Sequence, residues 1–269
     1  MQLDYKKLSN KVLEISKEAG LEILKIYNNA DLGITYKDDD SPLTLADKAS
    51  NDIIEKGLKE LTPSIPILSE EGKNIDFNNR KEWNIFWLID PLDGTKEFIK
   101  KNGEFTVNIA LIHHNLPVLG VIFVPATQDL YFATKHIGSY KKTNVSFEIN
   151  SIDNLLLSSI KLPSKRISDQ YVIVGSRSHM SVETEEFFKK AKEDYGEVEI
   201  LSIGSSLKLC MVAEGRAHAY PRYAPTMEWD TAAGHAIIKY AGFEINQYNT
   251  EDEVIYNKKD LLNPWFLVR

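Results

Sequence analysis

The chain has 269 residues, 43% of them hydrophobic, which is enough for one large domain or two closely packed halves with an ordinary core. Its 32 Lys and Arg residues against 39 Asp and Glu residues give a net charge of −7, and no basic stripe with interleaved aromatic residues is present. We therefore expect no polymeric nucleic acid partner, although a small anion could still bind through cations and local basic residues.

The number of cysteines and the length of the apolar runs indicate where in the cell the protein is expected. The single Cys210 cannot form an internal disulfide, which suits a reducing environment. Residues 1–10 are polar, and no run approaches the roughly 18 apolar residues of a membrane span. The sequence thus predicts a soluble, cytoplasmic protein without a transmembrane segment.

The first elements in chain order are two helices. Apolar residues recur every three or four positions in the first, at Leu8, Val12, Ile15, Ala19, Ile23 and Ile26. Residues 34–40 predict a short strand and a charged turn, which is either a solvated loop or a mobile flap over the site. The second helix carries a predicted apolar stripe at Leu45, Ala49, Ile53, Leu58 and Leu61.

Strands dominate the middle of the chain, and helices and strands alternate after it. Apolar, β-branched runs predict an antiparallel sheet from residues 83–89, 105–113, 117–124 and 130–133. Strands at 171–174 and 198–202 then alternate with helices at 182–194, 205–214 and 229–240. We predict an α+β fold with two halves: residues 1–135, a helix pair with an antiparallel sheet, and residues 136–269, an α/β half.

The most informative segment is residues 87–97, where an apolar strand runs into Asp90 and Asp93. Pro91 fixes the backbone between the two acids, so a rigid element presents both carboxylates. Held this way they repel unless hard divalent cations intervene, and the Leu92 carbonyl offers another oxygen ligand. Gly94 permits close backbone approach before a short helix. These features favour a metal and phosphate site, although a capped turn after a strand would explain this segment alone.

Two further acidic elements make the capped-turn explanation insufficient. Glu70 and Glu71 follow the apolar strand at residues 65–68, and chemistry alone does not choose between them as ligands. Asp230 lies in the first turn of a small-residue helix, where it could also stabilise the helix dipole. No calcium loop, zinc-protease helix, Walker loop or nucleophile elbow supports a competing chemistry.

These three elements together resemble the lithium-sensitive, Mg²⁺-dependent phosphatases that include inositol monophosphatase and the 3′(2′),5′-bisphosphate nucleotidases. The resemblance extends over essentially the whole chain and implies a layered αβαβα sandwich. It implies two or three Mg²⁺ ions and the following metal ligands: Glu70, Asp90, the Leu92 carbonyl, Asp93 and Asp230. Glu71 then supports the site without binding metal directly.

Residues 96–111 resemble the CysQ branch of bacterial bisphosphate nucleotidases. The resemblance implies substrate contacts from Gly94, Thr95, His179, Ser205, Lys208, Arg222 and Asp230, with the 5′-phosphate side of the nucleotide near Ser205, Lys208, Arg222 and His179. A phosphate that is not cleaved should meet protein donors rather than metal. Taken singly, Ser205 could be a helix cap, Lys208 a solvated lysine, Arg222 a surface ion pair and His179 a loop histidine.

The implied activity is hydrolysis of the 3′-phosphate of 3′-phosphoadenosine 5′-phosphate to AMP by a metal-activated water, with no phosphoenzyme. The resemblance makes Asp47, Glu70 and Thr95 catalytic, with the Thr95 hydroxyl hydrogen-bonded to Asp47. The alternatives are an inositol monophosphatase or broad sugar-phosphate phosphatase, and a non-catalytic nucleotide sensor. The oligomeric state is left open, as is peripheral attachment to the cytoplasmic face of the inner membrane, which has been associated with the branch.

Overall fold

The computed structural model describes residues 4–37, 40–145, 151–164, 170–175 and 181–269. Two long helices open the chain, α1 at Tyr5–Tyr27 and α2 at Leu45–Leu61, and they pack against each other. The Asp4 carboxylate accepts a hydrogen bond from Lys7 N and caps α1, and the predicted stripe of α1 is buried except for the partly buried Ile26.

Helix α2 buries only part of the predicted stripe: Leu58 is fully buried and Ile53 and Leu61 are partly buried, whereas Leu45 is 51% exposed. Most of its buried face lies one residue further along and is partly polar, and the buried residues are Ala46, Asp47, Ser50, Asn51, Ile54 and Leu58. The reason is hydrogen bonding: Ser50 Oγ donates to the Pro91 carbonyl at 2.7 Å, and Ser69 Oγ donates to Asn51 Oδ1 at 2.7 Å. The helix therefore turns polar side chains toward the strand ends, and apolar periodicity cannot detect such a face.

Seven of the described strands form one sheet, in the order β3-β4-β5-β6-β7-β8-β9. They follow the hairpin of β1 (Thr35–Tyr36) and β2 (Pro42–Leu43). Only β3 and β4 run parallel among the seven. Their bounds are β3 Ile67–Ser69, β4 Ile85–Asp93, β5 Thr106–His113, β6 Leu116–Val124, β7 Asp129–Thr134, β8 Gly138–Lys142 and β9 Ile160–Lys161. Short helices α3 (Phe77–Arg80), α4 (Thr95–Ile99) and α5 (Ile152–Leu157) connect some of them.

The remaining elements build the other layers. They are β10 (Tyr171–Gly175), α6 (Val182–Tyr195), β11 (Val198–Ser202), α7 (Leu207–Ala213), β12 (Tyr220–Arg222), α8 (Glu228–Ala241), β13 (Ile245–Gln247) and β14 (Phe266–Val268). Strands β12, β14 and β13 form one antiparallel sheet, and the β10–β11 pair joins it through a parallel bridge between Ile173 and Ala219.

The layers run from α1 and α2 through the seven-stranded sheet, α7 and α8, and the second sheet to α6. One apolar core fills the α1/α2 side of the first sheet, and another lies between its opposite face, α7, α8 and the second sheet. The α+β fold and its αβαβα layering are thus confirmed. Residue 135, the expected boundary between halves, falls in the turn between the paired strands β7 and β8.

Gly120 on β6 sets how closely α8 approaches the first sheet. A Cβ atom there would lie 2.4 Å from the Ala233 carbonyl oxygen, well inside van der Waals contact. Only glycine accommodates this approach, which brings the first turn of α8 toward the ends of the sheet strands.

Candidate active site

Acidic residues collect where β3 and β4 end. Because these two strands are parallel neighbours, with Ser69 opposite Ile89, their carboxyl ends meet at the same edge. Glu70 follows β3 directly, and its N–H donates to the Ile89 carbonyl at 3.2 Å. The pairing of β4 with β5 is interrupted between Asp90 and Asp93, where Pro91 lies. The rigid strand ends predicted from sequence are therefore brought together.

Glu70, Asp90 and Asp230 form the centre of the site. Each offers a carboxylate oxygen, and these oxygens all lie within 4.8 Å of one another. Burial, followed by repulsion from Glu70, Asp93 and Asp230, raises the pKa of Asp90 well above its usual range. Burial, followed by the charge of Asp93, raises the pKa of Asp230 to about 8. Buried carboxyl groups this close together resist ionisation, and a hard divalent cation would favour their ionised form. Carboxylate oxygens are also the ligands that such a cation prefers.

Asp93 lies next to this trio but outside it. Its Oδ2 accepts hydrogen bonds from the N–H and Oγ of Ser206, both at 2.6 Å, and Ser206 Oγ also lies 2.9 Å from the Asp230 carbonyl oxygen. Asn108 Nδ2 donates to the same Ser206 Oγ at 2.8 Å. Ser206 thus ties the β4 acids to the start of α8. Sequence reasoning missed both Ser206 and Asn108.

Thr95 and Asp47 meet as the resemblance implies. The Thr95 hydroxyl lies 3.2 Å from Asp47 Oδ1 and 3.3 Å from the Leu92 carbonyl oxygen. Thr44 holds the other Asp47 oxygen through its N–H at 2.7 Å and its hydroxyl at 2.6 Å. Burial raises the pKa of Asp47 against these hydrogen bonds. The arrangement fixes the Asp47 carboxylate and leaves it able to accept a proton from the Thr95 hydroxyl.

Lys37, at the end of β1, reaches into the acidic centre. Its ammonium lies 2.8 Å from Glu70 Oε1 and 2.5 Å from Glu71 Oε1. The charged turn is therefore in contact with the site at this residue, as the flap alternative requires, and Asp38 and Asp39 lie outside the described residues. Glu71 pairs with Lys37 and does not join the carboxylate trio.

A cavity adjoins the acidic centre and brings together most of the predicted substrate residues. Its walls include Asp93, Gly94, Ser205, Lys208, Arg222 and Asp230, together with Lys96, Glu97, Tyr220 and Thr226, which were not predicted. Gly94 has a φ of +90°, and a Cβ atom there would lie 2.9 Å from the Glu104 carbonyl oxygen. Glycine is thus required for this wall of the cavity.

The basic end of the cavity is prepared for an anion. Burial, followed by opposing effects of Asp93 and Arg222, lowers the pKa of Lys208 to about 8, and the ammonium donates to the Ser205 carbonyl at 2.6 Å. Among the described residues, the buried Ser205 Oγ and Arg222 Nε have no hydrogen-bond partner. Buried polar atoms without partners are costly, and an anionic ligand would satisfy both. The predicted His179 lies outside the described residues.

A second cleft lies on another side of Glu70. Trp229, next to Asp230 in sequence, lines it together with Glu70, Lys73 and Lys259. The Trp229 indole is partly buried and packs against the core between the two sheets. Both clefts therefore adjoin carboxylates of the trio formed by Glu70, Asp90 and Asp230.

The fold and this acidic centre define a phosphatase-type metal site in an αβαβα sandwich. The model of the inositol monophosphatase family matches residues 4–265, and the chain belongs to this family, whose enzymes are metal-dependent.

Among curated proteins, the chain is 42% identical over 258 residues to the 3′(2′),5′-bisphosphate nucleotidase CysQ of Salmonella typhimurium, covering 96% of this chain and 97% of the relative. It is 40% identical over 260 residues to CysQ of Escherichia coli K12, covering 96% and 98%. The crystal structure of CysQ from Bacteroides thetaiotaomicron superimposes with a TM-score of 0.91 at 47% identity, covering 99% of this chain and 98% of that one.

Proposed function

We propose that this chain is a Mg²⁺-dependent 3′(2′),5′-bisphosphate nucleotidase that hydrolyses the 3′-phosphate of 3′-phosphoadenosine 5′-phosphate to AMP and phosphate. The observation that carries the proposal is one cavity with two unlike ends. At one end Asp93 and Asp230 adjoin the carboxylate centre suited to divalent cations, and at the other Lys208, Arg222 and Ser205 suit a phosphate bound by protein donors. The relatives named as bisphosphate nucleotidases over nearly the whole chain support this substrate.

The carboxylate end would hold the cations. Glu70, Asp90 and Asp230 supply three close oxygens. Asp93 is near enough for its charge to act on Asp90 and Asp230, and Leu92, whose carbonyl is a further proposed ligand, donates its N–H to Asp90 Oδ1 at 3.1 Å. Bound Mg²⁺ supplies a water of lowered pKa and neutralises charge on the phosphoryl group. Two or three ions per site follow the family resemblance.

The protein's own contribution to proton transfer is assigned to Thr95 and Asp47. The Thr95 hydroxyl can accept a hydrogen bond from the attacking water while donating to Asp47 Oδ1. Thr44 fixes that carboxylate from the other side, which keeps Asp47 Oδ1 in place as an acceptor for the Thr95 hydroxyl. We also assign Glu70 a part in catalysis. Its carboxylate lies at the edge of the same centre and pairs with the Lys37 ammonium.

The proposed substrate preference follows from the basic end. A bisphosphate nucleotide places a second phosphate beside Lys208 and Arg222, which gives the unpaired Arg222 Nε an acceptor and favours the charged form of Lys208. Inositol 1-phosphate has no second phosphate and would leave these groups unmatched. The preference therefore separates the proposal from an inositol or broad sugar-phosphate phosphatase.

The test is phosphate release by the purified protein with Mg²⁺ from 3′-phosphoadenosine 5′-phosphate, 3′-AMP, 5′-AMP and inositol 1-phosphate, with and without Li⁺. We expect strong preference for the bisphosphate, inhibition by Li⁺, and loss of the preference in Lys208→Met but not in Lys192→Met, a change at an exposed lysine of α6. Equal or better hydrolysis of inositol 1-phosphate would overturn the substrate assignment. Nucleotide binding without phosphate release would indicate a sensor.

A further inference from the structure

The first turn of α8, which carries Asp230, packs along a later segment of the chain. Glu228 N donates to the Leu261 carbonyl at 2.9 Å, and Asn263 N donates to the Thr226 carbonyl at 2.8 Å. These bonds flank an antiparallel bridge between Met227 and Leu262. We call residues 253–263 the α8 clamp, because its side chains hold the same turn at several points.

Asn263 makes the contact nearest to Asp230. Its amide Nδ2 donates to the Met227 carbonyl at 2.7 Å, and the Met227 N–H in turn donates to Asp230 Oδ2 at 2.8 Å. Asn263 Nδ2 also lies 3.0 Å from Thr231 Oγ1, and the side chain is buried. Since a carbonyl can only accept, the amide orientation is fixed. One residue, Met227, thus links Asn263 to the Asp230 carboxylate, through its carbonyl on one side and its N–H on the other.

Tyr256 holds the other side of the turn. Its hydroxyl lies 3.3 Å from Thr231 Oγ1 and 3.0 Å from His235 Nδ1, and His235 Nε2 lies 2.8 Å from Glu253 Oε1. Tyr256 and His235 are both fully or almost fully buried. The clamp therefore contacts α8 along two successive turns, and its Tyr256 and Asn263 side chains are buried there.

Glu228 completes the arrangement from the helix side. Its carboxylate is fully buried and accepts hydrogen bonds from Asn257 N at 2.6 Å, Lys258 N at 2.9 Å and Lys258 Nζ at 2.6 Å. Asn257 also donates to the Arg80 carbonyl at 2.8 Å, which anchors the clamp to α3. The residues on both sides of Asp230 are thus fixed by one segment.

We propose that the α8 clamp sets the position of the Asp230 carboxylate in the metal centre, with Tyr256 and Asn263 as its positioning residues. This inference rests on the proposed role of Asp230 as a metal ligand. Groups that orient a ligand typically change metal affinity by roughly 10- to 100-fold when removed, even though they do not touch the metal. Neither Tyr256 nor Asn263 lines the cavity assigned to substrate.

The experiment measures the Mg²⁺ dissociation constant by titration calorimetry without substrate, for wild type, Tyr256→Phe, Asn263→Ala and Asp230→Asn. The matched control is Tyr131→Phe, which removes another buried tyrosine hydroxyl, hydrogen-bonded to Glu214 at 2.5 Å, on strand β7. Thermal unfolding of each metal-free protein separates lost stability from lost affinity.

We expect Tyr256→Phe and Asn263→Ala to weaken Mg²⁺ binding by roughly tenfold, and Tyr131→Phe to lower the melting temperature with wild-type affinity. If Asp230→Asn weakens binding while both clamp variants bind as wild type does, the clamp proposal is wrong and the ligand assignment stands. If Asp230→Asn binds Mg²⁺ normally, the ligand assignment itself fails. If the control also weakens binding to the same extent, the effect is one of general stability and the clamp has no special role.

Discussion

The Lys37 ammonium lies 2.8 Å from Glu70 Oε1, so a lysine of the β1–β2 hairpin neutralises part of the carboxylate centre. Attraction to both Glu70 and Glu71, against the effect of burial, raises the pKa of Lys37 and keeps it charged. A lysine so placed would compete with a metal cation for the same oxygen.

Lys37→Met should therefore increase Mg²⁺ affinity by several-fold and lower the stability of the metal-free protein, because the acids lose their internal cation. Lys37→Arg, which keeps the charge, is the control. Calorimetric titration and metal-free thermal unfolding measure the two effects. Weaker Mg²⁺ binding in Lys37→Met would show that the lysine assists the metal rather than competing with it.

Thr95→Ala should lower kcat by about 10²- to 10⁴-fold while changing KM little, because it removes the hydroxyl that joins Asp47 to the reacting water. Thr95→Ser keeps the hydroxyl and should retain most of the turnover. Steady-state kinetics at saturating Mg²⁺ provide the comparison. Normal turnover in Thr95→Ala would remove this residue from the mechanism.

The pH dependence of substrate binding should reflect Lys208. Its pKa of about 8 in the folded protein lies below the ordinary lysine value of 10.5, so the ammonium loses its proton as pH rises through about 8. Binding of the 5′-phosphate favours the charged form. KM for 3′-phosphoadenosine 5′-phosphate should therefore rise above about pH 8, by up to roughly tenfold per pH unit.

The controls for this pH effect are one substrate and one variant. The KM for 3′-AMP, which lacks the second phosphate, should not show the same rise, and Lys208→Arg, which stays protonated, should flatten the profile. Parallel profiles for both substrates would place the titrating group elsewhere.

Gly120→Ala should destabilise the protein by about 1–3 kcal/mol, because the new methyl group would lie 2.4 Å from the Ala233 carbonyl oxygen. Gly196→Ala is a useful comparison, since its added atom meets nothing within 4 Å and tests only the cost of a φ of +77°. Urea unfolding gives both free energies. A wild-type midpoint for Gly120→Ala would mean that α8 can move away from the sheet at little cost.

The distribution of apolar residues along the sequence predicted most helices and strands of the fold. The stripe of α1 was recognisable because burial of one helix face imposes a regular spacing on apolar residues. The strands β4 to β7 were recognisable because burial of both faces produces continuous apolar runs. The polar part of the buried face of α2 was not recognisable, because Asp47, Ser50 and Asn51 are buried for their hydrogen bonds. Periodicity of hydrophobicity carries no information about such a face.

The site residues that belong to a sequence motif could be predicted. The site residues whose role depends on contacts made in the folded chain could not. Strand ends and helix starts placed Glu70, Asp90 and Asp230 in advance, and the structure brings them together. Ser205 and Ser206 are adjacent and identical in type, and only the backbone, with a φ of +48° at Ser205, decides which one binds Asp93. Lys37 reaches Glu70 across 33 positions of the chain, a distance over which local pattern gives no signal.

Trp229 gives the metal centre an optical reporter within the chain itself. Its indole belongs to the clamped first turn of α8, directly precedes Asp230 in sequence and shares a cleft wall with Glu70. An arriving dication would change the electric field across this ring, whereas Trp87 is fully buried on the opposite side of the sheet, in the α1/α2 core. Intrinsic fluorescence can therefore follow metal loading in the unlabelled protein, on the time scale of mixing and before any phosphate is released.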